Sequence, residues 1–421
     1  MLGVGRRRLW VEAAALGVAA CAARGVLAYA ASVRPPAVYH RGGRRMRALL
    51  AQVPGLHRAV WPAPHVHASV ALAMAVGTKL RERRKDLTRF RRQLLRHADG
   101  GESALDWLDG GGVSAVPPLA DDAPLLLVLH TITATTREAY GLAPLLLAAR
   151  ARGWRPAVHV RRACGGLELR AGSTWSPFGC AHDLRDALDA ARAAHPSAAH
   201  TAAIGISAGS AVLSRYLGEH DAHARGAARL AGAVCIAPGY RMPHAWERVR
   251  WPYSAIVVSK LRSHFLCAQR QPHVGAGREV ALQAALGERS LAGLLDAMSF
   301  VCGYGGPAAF RERCDPHAVR LRVSTPLLAI NSLDDPLSVR ENIDYDWFAR
   351  DDPHDCAALA TVPRGAHIEF VEWRGWRSPH EPWADEVALD FLAAAARDAT
   401  ASAGGREPEP IVAGGRVTCD K

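Results

Sequence analysis

From Pro124 to Ile330 the chain alternates short runs that are apolar on both faces with longer amphipathic ones, and no other feature limits its fold as strongly. Pro124-Leu-Leu-Leu-Val-Leu-His130 has no polar side, which suits a strand covered on both faces. Leu142, Leu145, Leu146 and Ala149 then recur at helical spacing within 140–152. The series continues with a strand over 154–160, a helix over 181–194, a strand over 201–206, a helix over 208–217 with Gly218 as its C-cap, and strands over 230–237 and 326–330. Parallel neighbours need crossovers of about a dozen residues, which the helices supply. The spacing therefore predicts an α/β fold, a mostly parallel, doubly wound sheet with helices on both faces. Residues 239–323 are too long for a loop and carry helical runs over 245–265 and 280–298, so they are read as an inserted helical cap.

With 421 residues, 49% of them hydrophobic and 22% charged, the composition is that of a folded globular protein. The net charge of +12 invites a nucleic-acid reading only until it is divided along the chain. Residues 1–100 hold 19 Lys or Arg against four acidic side chains, whereas the other 321 hold 33 against 36. The basic character lies in the N-terminal quarter and carries no recognisable module, so no nucleic-acid partner is expected.

Arg6-Arg7-Arg8 precede an apolar stretch over 9–33 that Glu12 and Arg24 interrupt, and its longest uncharged run, Ala13 to Ala23, has 11 residues. About 20 are expected of a membrane-spanning helix. Three readings stand beside an ordinary helix. The first is a weak anchor or interfacial segment, with Arg34, Arg41, Arg44, Arg45 and Arg47 against anionic headgroups. The second is a transit peptide to a plastid or mitochondrion, and the third a secretory signal with small residues near Ala28-Tyr29-Ala30. Membrane association is the leading expectation. The expected organisation is a basic leader over 1–60, a catalytic domain over 61–398 with its cap at 239–323, and a Gly/Pro-rich disordered tail over 399–421. The nine cysteines are scattered without a CxxC pair and read as free thiols. His65/His67 and His220/His223 lack a third ligand at usable spacing, so neither a metal nor a cofactor is expected.

Gly205-Ile206-Ser207-Ala208-Gly209 fits G-x-S-x-G, ends an apolar strand and opens a helix. That strand–turn–helix holds a nucleophilic serine in a strained, exposed conformation. Small residues two positions either side relieve collisions across so sharp a turn. The helix start also aims the Ala208 N–H at an incoming oxyanion. A serine nucleophile needs a base, and the base an orienting acid, later in the chain. Asn331-Ser-Leu-Asp334-Asp335-Pro336 follows the strand over 326–330 and so lies at the sheet edge that carries Ser207. Asp335 is the expected acid, with Asp334 as the alternative. His367, after the apolar run at Thr361 and a Gly-containing turn, completes the order Ser, Asp, His.

Further motifs in the same order carry a family resemblance over 61–394. They are Trp61-Pro-Ala-Pro-His65-Val-His67, Asp99-Gly-Gly-Glu-Ser-Ala-Leu-Asp106-Trp107-Leu108, Arg161-Arg-Ala-Cys164-Gly165-Gly166, Leu217-Gly218-Glu219, Asn331 to Pro336, and His367-Ile-Glu-Phe370-Val371-Glu372. Together they resemble the α/β-hydrolase branch of membrane-associated lipid esterases and phospholipases, which also holds bacterial and plant hydrolases and yeast acyl-coenzyme A:ethanol acyltransferases. The resemblance implies an α/β-hydrolase fold and Ser207, Asp335 and His367 as nucleophile, orienter and base. It also implies a second oxyanion donor in the loop after the first core strand, at the backbone N–H of Thr131 or its neighbour. This chain departs from the family in three places. His130-Thr131-Ile132-Thr133-Ala134 stands where the family has His-Gly-x-x-Gly, Ser207-Ala-Gly-Ser210 where it has Ser-Leu-Gly-Gly, and Ala366 where a second glycine is common before the histidine. Loss of one oxyanion donor typically costs about 10²–10³ in turnover.

The expected function is hydrolysis of carboxylic esters of lipids through an acyl-enzyme on Ser207. The alternatives are acyl transfer to an alcohol and a weakly active or non-catalytic member that binds an acyl chain. The expected partners are a lipid ester or other acyl substrate and a membrane surface, with no obligate protein partner. The motive for a lipid is the basic N-terminus together with the apolar cap residues Trp246, Trp251, Tyr253, Ile256 and Leu261.

Overall fold

The computed structural model describes residues 20–62, 89–108, 118–133, 142–372 and 382–403. Its centre is a nine-stranded sheet in the order β1-β9-β8-β7-β6-β4-β5-β3-β2. The strands are β1 (Ala37–His40), β2 (Phe90–Arg96), β3 (Glu102–Leu108), β4 (Leu125–Leu129), β5 (Arg155–Val160), β6 (Thr201–Ile206), β7 (Gly232–Ile236), β8 (Leu327–Ser332) and β9 (Ala357–Val362). The run from β5 through β4, β6, β7 and β8 to β9 is parallel. β1 joins β9, and the β2–β3 pair joins β5, in antiparallel fashion.

The helices are α1 (Arg44–Ala51), α2 (Leu142–Ala151), α3 (Ala181–Ala194) and α4 (Ala208–Glu219), then the cap helices α5 (Met242–Arg248), α6 (Tyr253–Leu261), α7 (Arg270–Gly275), α8 (Glu279–Gly287), α9 (Leu291–Val301) and α10 (Pro307–Cys314), and finally α11 (Trp383–Ala403). Every residue of β4, β6, β7, β8 and β9 is buried, which is why these segments carry no polar face. Successive side chains divide between two cores, because neighbouring residues in a strand point to opposite faces. Leu126 and Val128 pack with α2, α11 and the cap, while Leu125, Leu127 and Leu129 pack with α3 and α4.

Several expectations change. Gly218 does not cap α4, which continues to Glu219; a Cβ there would stand 2.6 Å from the Val319 carbonyl oxygen, so the glycine serves close packing. The two long cap runs are broken, the first at residues 249–252 around Pro252 and the second at 288–290, where the Ser290 side chain accepts from the Gly293 N–H and caps α9. The boundary at residue 60 falls too late. β1 pairs with β9, and Met46, Leu49, Leu50, Val53 and Leu56 lie in the main core, so residues 37–60 belong to the same body as the sheet.

Part of the N-terminal positive charge is likewise internal. Arg58 is paired with Glu372 at 2.7 Å and Glu386 at 2.8 Å, and Arg45 with Asp398 at 2.7 Å. Residues 20–32 are helical and expose Val26 and Leu27, which are 67% and 70% accessible. Among the described residues no helix is long and apolar enough to cross a membrane. The tail expected from residue 399 starts too early, because α11 continues to Ala403. Arg6 to Arg8, His65 and His67, Ala134 and the residues beyond 403 with Cys419 lie outside the described residues.

Candidate active site

Ser207 stands between β6 and α4 with φ 53° and ψ −115°, a conformation that L-residues rarely adopt. The backbone reaches it because the positions two residues either side, Gly205 and Gly209, have no side chain. A Cβ on Gly205 would lie 2.6 Å from the Gly209 carbonyl oxygen, and one on Gly209 would lie 2.3 Å from the Leu129 carbonyl oxygen. The first collision is across the turn, as expected; the second is with the neighbouring strand. The Ser207 N–H donates to the Ile236 carbonyl at 2.8 Å, pinning the turn to β7. Ser210 is fully buried, and its hydroxyl lies 2.8 Å from the Gly205 carbonyl and 3.0 Å from that of Ile236. The position the family fills with glycine therefore holds the elbow from beneath. Ala208 opens α4, where its N–H has no intrahelical acceptor.

β8 and β9 deliver the other two residues to the same sheet edge. His367 Nδ1 lies 2.7 Å from Asp335 Oδ2, and His367 Nε2 lies 2.7 Å from Ser207 Oγ. The other Asp335 oxygen accepts the N–H groups of Leu337 at 2.7 Å and Ser338 at 2.9 Å, which fixes the carboxylate. With Nδ1–H donated to Asp335, the Nε2 lone pair faces the Ser207 hydroxyl. Burial alone would lower the His367 pKa, but the charge and hydrogen bond of Asp335, with Glu369 beyond, outweigh it and hold the imidazole above its ordinary range.

Asp334 serves a different end. Its Oδ1 accepts the N–H groups of Gly365 at 2.9 Å and Ala366 at 3.0 Å, so it shapes the loop that presents His367 rather than touching the ring. Ala366 holds φ 56° in that loop, and the Ser332 hydroxyl donates to its carbonyl. Glu369 Oε2 accepts from the N–H groups of His367 and Ile368, both at 3.0 Å.

A cavity of about 100 Å³ opens beside Ser207 and His367. Ile132 of the loop after β4 and Ala208 line its floor, while Trp246, Val257, Leu261, Leu291 and Leu295 of the cap form its apolar wall. Trp246 stacks on Phe178, with ring centroids 5.5 Å apart and planes at 6°, and Phe310 backs it at 5.7 Å. Of the cap residues singled out in the sequence, Trp246 and Leu261 line the cavity, whereas Trp251 and Ile256 face solvent at 82% and 47% exposure. Among the described residues no cluster of His, Cys, Asp and Glu fits a metal ion, and the eight described cysteines are unbridged.

A second Ser–His–Asp series, without any signal in the sequence, is also present. His97 Nε2 lies 2.8 Å from Ser103 Oγ, and His97 Nδ1 lies 2.8 Å from Asp186 Oδ2. Ser103 is fully buried within β3, and His97 is buried beside it.

No protein-family model matches the chain. Phospholipase ABHD3 of Homo sapiens is 26% identical over 318 residues, covering 74% of this chain and 73% of that protein. Protein ABHD15 of Homo sapiens is 28% identical over 319 residues, covering 72% of this chain and 62% of that protein. Among solved structures, the Pyrococcus furiosus esterase PF2001 aligns with 74% of this chain and 92% of its own at 16% identity and a TM-score of 0.48. With its parallel sheet and the serine elbow after β6 the chain has an α/β-hydrolase fold, and in sequence it is similar to the ABHD3 and ABHD15 proteins.

Proposed function

We propose that the protein is a serine hydrolase that cleaves carboxylic esters of lipids. The observation that carries this reading is the hydrogen-bonded series Ser207, His367, Asp335 at the floor of an apolar cavity. Ser207 Oγ attacks the acyl carbonyl as His367 Nε2 takes its proton, and Asp335 steadies the imidazolium. The N–H groups of Ala208 and Thr131 receive the oxyanion, each worth about 10²–10³ in turnover. Collapse expels the alcohol, which leaves with the proton from His367. Water then adds to the acyl-enzyme with His367 again as base, releasing the acid and restoring Ser207.

An acyl chain is the substrate part that the cap wall suits, since burial is worth about 0.8 kcal/mol per methylene. Ligand pockets usually measure about 300–1,000 Å³, so a cavity of about 100 Å³ calls for outward movement of the cap before a long chain enters. Contact with a membrane surface is part of the proposal, supported by the exposed Val26 and Leu27 beside Arg24 on the leader helix. The test is to incubate purified protein with a lipid extract and compare it with Ser207→Ala. Consumption of ester lipids by the wild type alone, with release of free fatty acid, supports hydrolysis. Acyl transfer to added ethanol in place of fatty acid release would replace hydrolysis by transfer, and no consumption by folded wild type would leave a binding protein.

A further inference from the structure

Arg161 follows β5 and is 2% exposed, yet among the described residues no carboxylate pairs with it. The adjacent Arg162, by contrast, is bonded to Asp183 at 2.7 Å and Asp99 at 2.6 Å. The Arg161 guanidinium donates to the main-chain carbonyls of His130 at 3.1 Å, Phe178 at 3.2 Å and Thr131 at 2.5 Å, and its Nη2 also stands 3.3 Å from His130 Nδ1, a longer contact than the 2.8 Å from that nitrogen to the Thr131 carbonyl. Its own N–H donates to His130 Nε2 at 3.3 Å. That bond makes Nε2 the acceptor, so Nδ1 carries the proton and donates to the Thr131 carbonyl at 2.8 Å. Burial and the neighbouring Arg161 charge push the His130 pKa well down and keep that ring neutral. The fold makes room for the arginine, since a Cβ on Gly179 would stand 2.7 Å from Arg161 Cδ.

Burying a cation without a carboxylate is costly, and the carbonyl bonds offset part of that cost. What those bonds also do is fix the loop after β4. In a trans peptide the C=O and N–H point in opposite directions. By holding the His130 and Thr131 carbonyls, Arg161 turns the N–H groups of Thr131 and Ile132 away from itself, and among the described residues neither N–H has a hydrogen-bond partner. The same loop borders the cavity beside Ser207 through Ile132. A cation at the carbonyl end of a peptide also polarises it, which strengthens the N–H as a donor.

We propose that Arg161 is the positioning residue of the oxyanion loop, orienting the Thr131 N–H and biasing it electrostatically toward the tetrahedral intermediate in a chain without the family's glycine loop. This rests on the hydrolase reading above. The test uses the full chain with Arg161→Met and Arg161→Lys, a p-nitrophenyl ester as substrate, and an alkyl trifluoromethyl ketone that forms a tetrahedral adduct on the serine.

The expected result for Arg161→Met is a fall in kcat of about 10²-fold, KM within threefold of wild type, ketone affinity reduced by the same factor as kcat/KM, and a lower unfolding midpoint, because the His130, Phe178 and Thr131 carbonyls lose their donor. Arg161→Lys keeps the charge but not the fork and is expected between the two. A folded methionine variant with wild-type kcat, or one whose kcat falls while ketone affinity does not, would overturn the assignment. Should the methionine variant fail to fold, the lysine variant decides, wild-type kcat and ketone affinity overturning it and a parallel loss of both supporting it. Wild-type protein that neither turns over ester nor binds the ketone overturns the hydrolase reading and this assignment with it, whereas an active wild type with unimpaired variants overturns the Arg161 assignment alone.

Discussion

Ser207–His367–Asp335 and Ser103–His97–Asp186 have the same donors and acceptors at nearly the same distances, 2.7 Å for both links of the first and 2.8 Å for both links of the second. Only the first is built to react. Ser207 sits at φ 53° at the start of a helix, with a cavity at its hydroxyl and an orphan N–H beside it. Ser103 lies inside a strand, fully buried, and its hydrogen bond ties the β2–β3 hairpin through His97 to α3. On the proposed reading, the same three residue types serve chemistry in one place and cohesion in the other. Strain, access and oxyanion donors make the difference, and hydrogen-bond geometry does not.

The largest effect that would sharpen this contrast is the loss of Ser207. Ser207→Ala should lower ester turnover by more than about 10⁴-fold, while Ser103→Ala should leave kcat within threefold of wild type. Stopped or continuous assays of the two purified variants compare them directly. Asp335→Asn comes next, with an expected loss of about 10⁴ in kcat. Asp186→Asn should cost no activity, because its histidine has no reactive partner.

The pH profile reports on His367. His367 must be neutral to act as base, and its pKa lies above the ordinary value, so kcat/KM should rise with pH and reach half its plateau above about 6.5. In Asp335→Asn the residual activity should show this limb at lower pH, since burial then acts without the opposing carboxylate charge. A smaller effect is expected at the cap. Trp246→Ala should raise the preference for a sixteen-carbon over a four-carbon acyl ester by roughly 15- to 60-fold, as the space admits two or three more methylenes at about 0.8 kcal/mol each. The smallest is in stability. Ser103→Ala should lower unfolding free energy by about 1–2 kcal/mol in denaturant titration, through the lost bond to His97.

The central strands and the elbow were legible in sequence for one reason: their requirements are strict. A strand buried on both faces shows as an unbroken apolar run, and the elbow requires glycine two positions either side of Ser207. The order of Asp335 and His367 followed from where parallel strands end. β1 and α1 were not legible, because Arg41, Arg44, Arg45 and Arg47 surround the few inward-facing residues Met46, Leu49 and Leu50 and mark the segment as a basic leader. Deletion of residues 1–32 should therefore spare the fold, whereas a cut at residue 60 removes an edge strand and part of the core. Arg161 lay within a motif that the sequence made visible, but its carbonyl partners come from the loop after β4 and from Phe178, and no spacing rule brings those together. The Ser103 series was invisible for the same reason, its three residues coming from β3, the preceding turn and α3.

The most direct test of the distinction between the two series is covalent labelling of native protein with a fluorophosphonate, followed by peptide mapping. One adduct is expected, on Ser207, forming faster as pH rises through the His367 titration, absent in Ser207→Ala and retained in Ser103→Ala. An adduct on Ser103, or none on Ser207 in folded protein, would overturn the distinction between the two series.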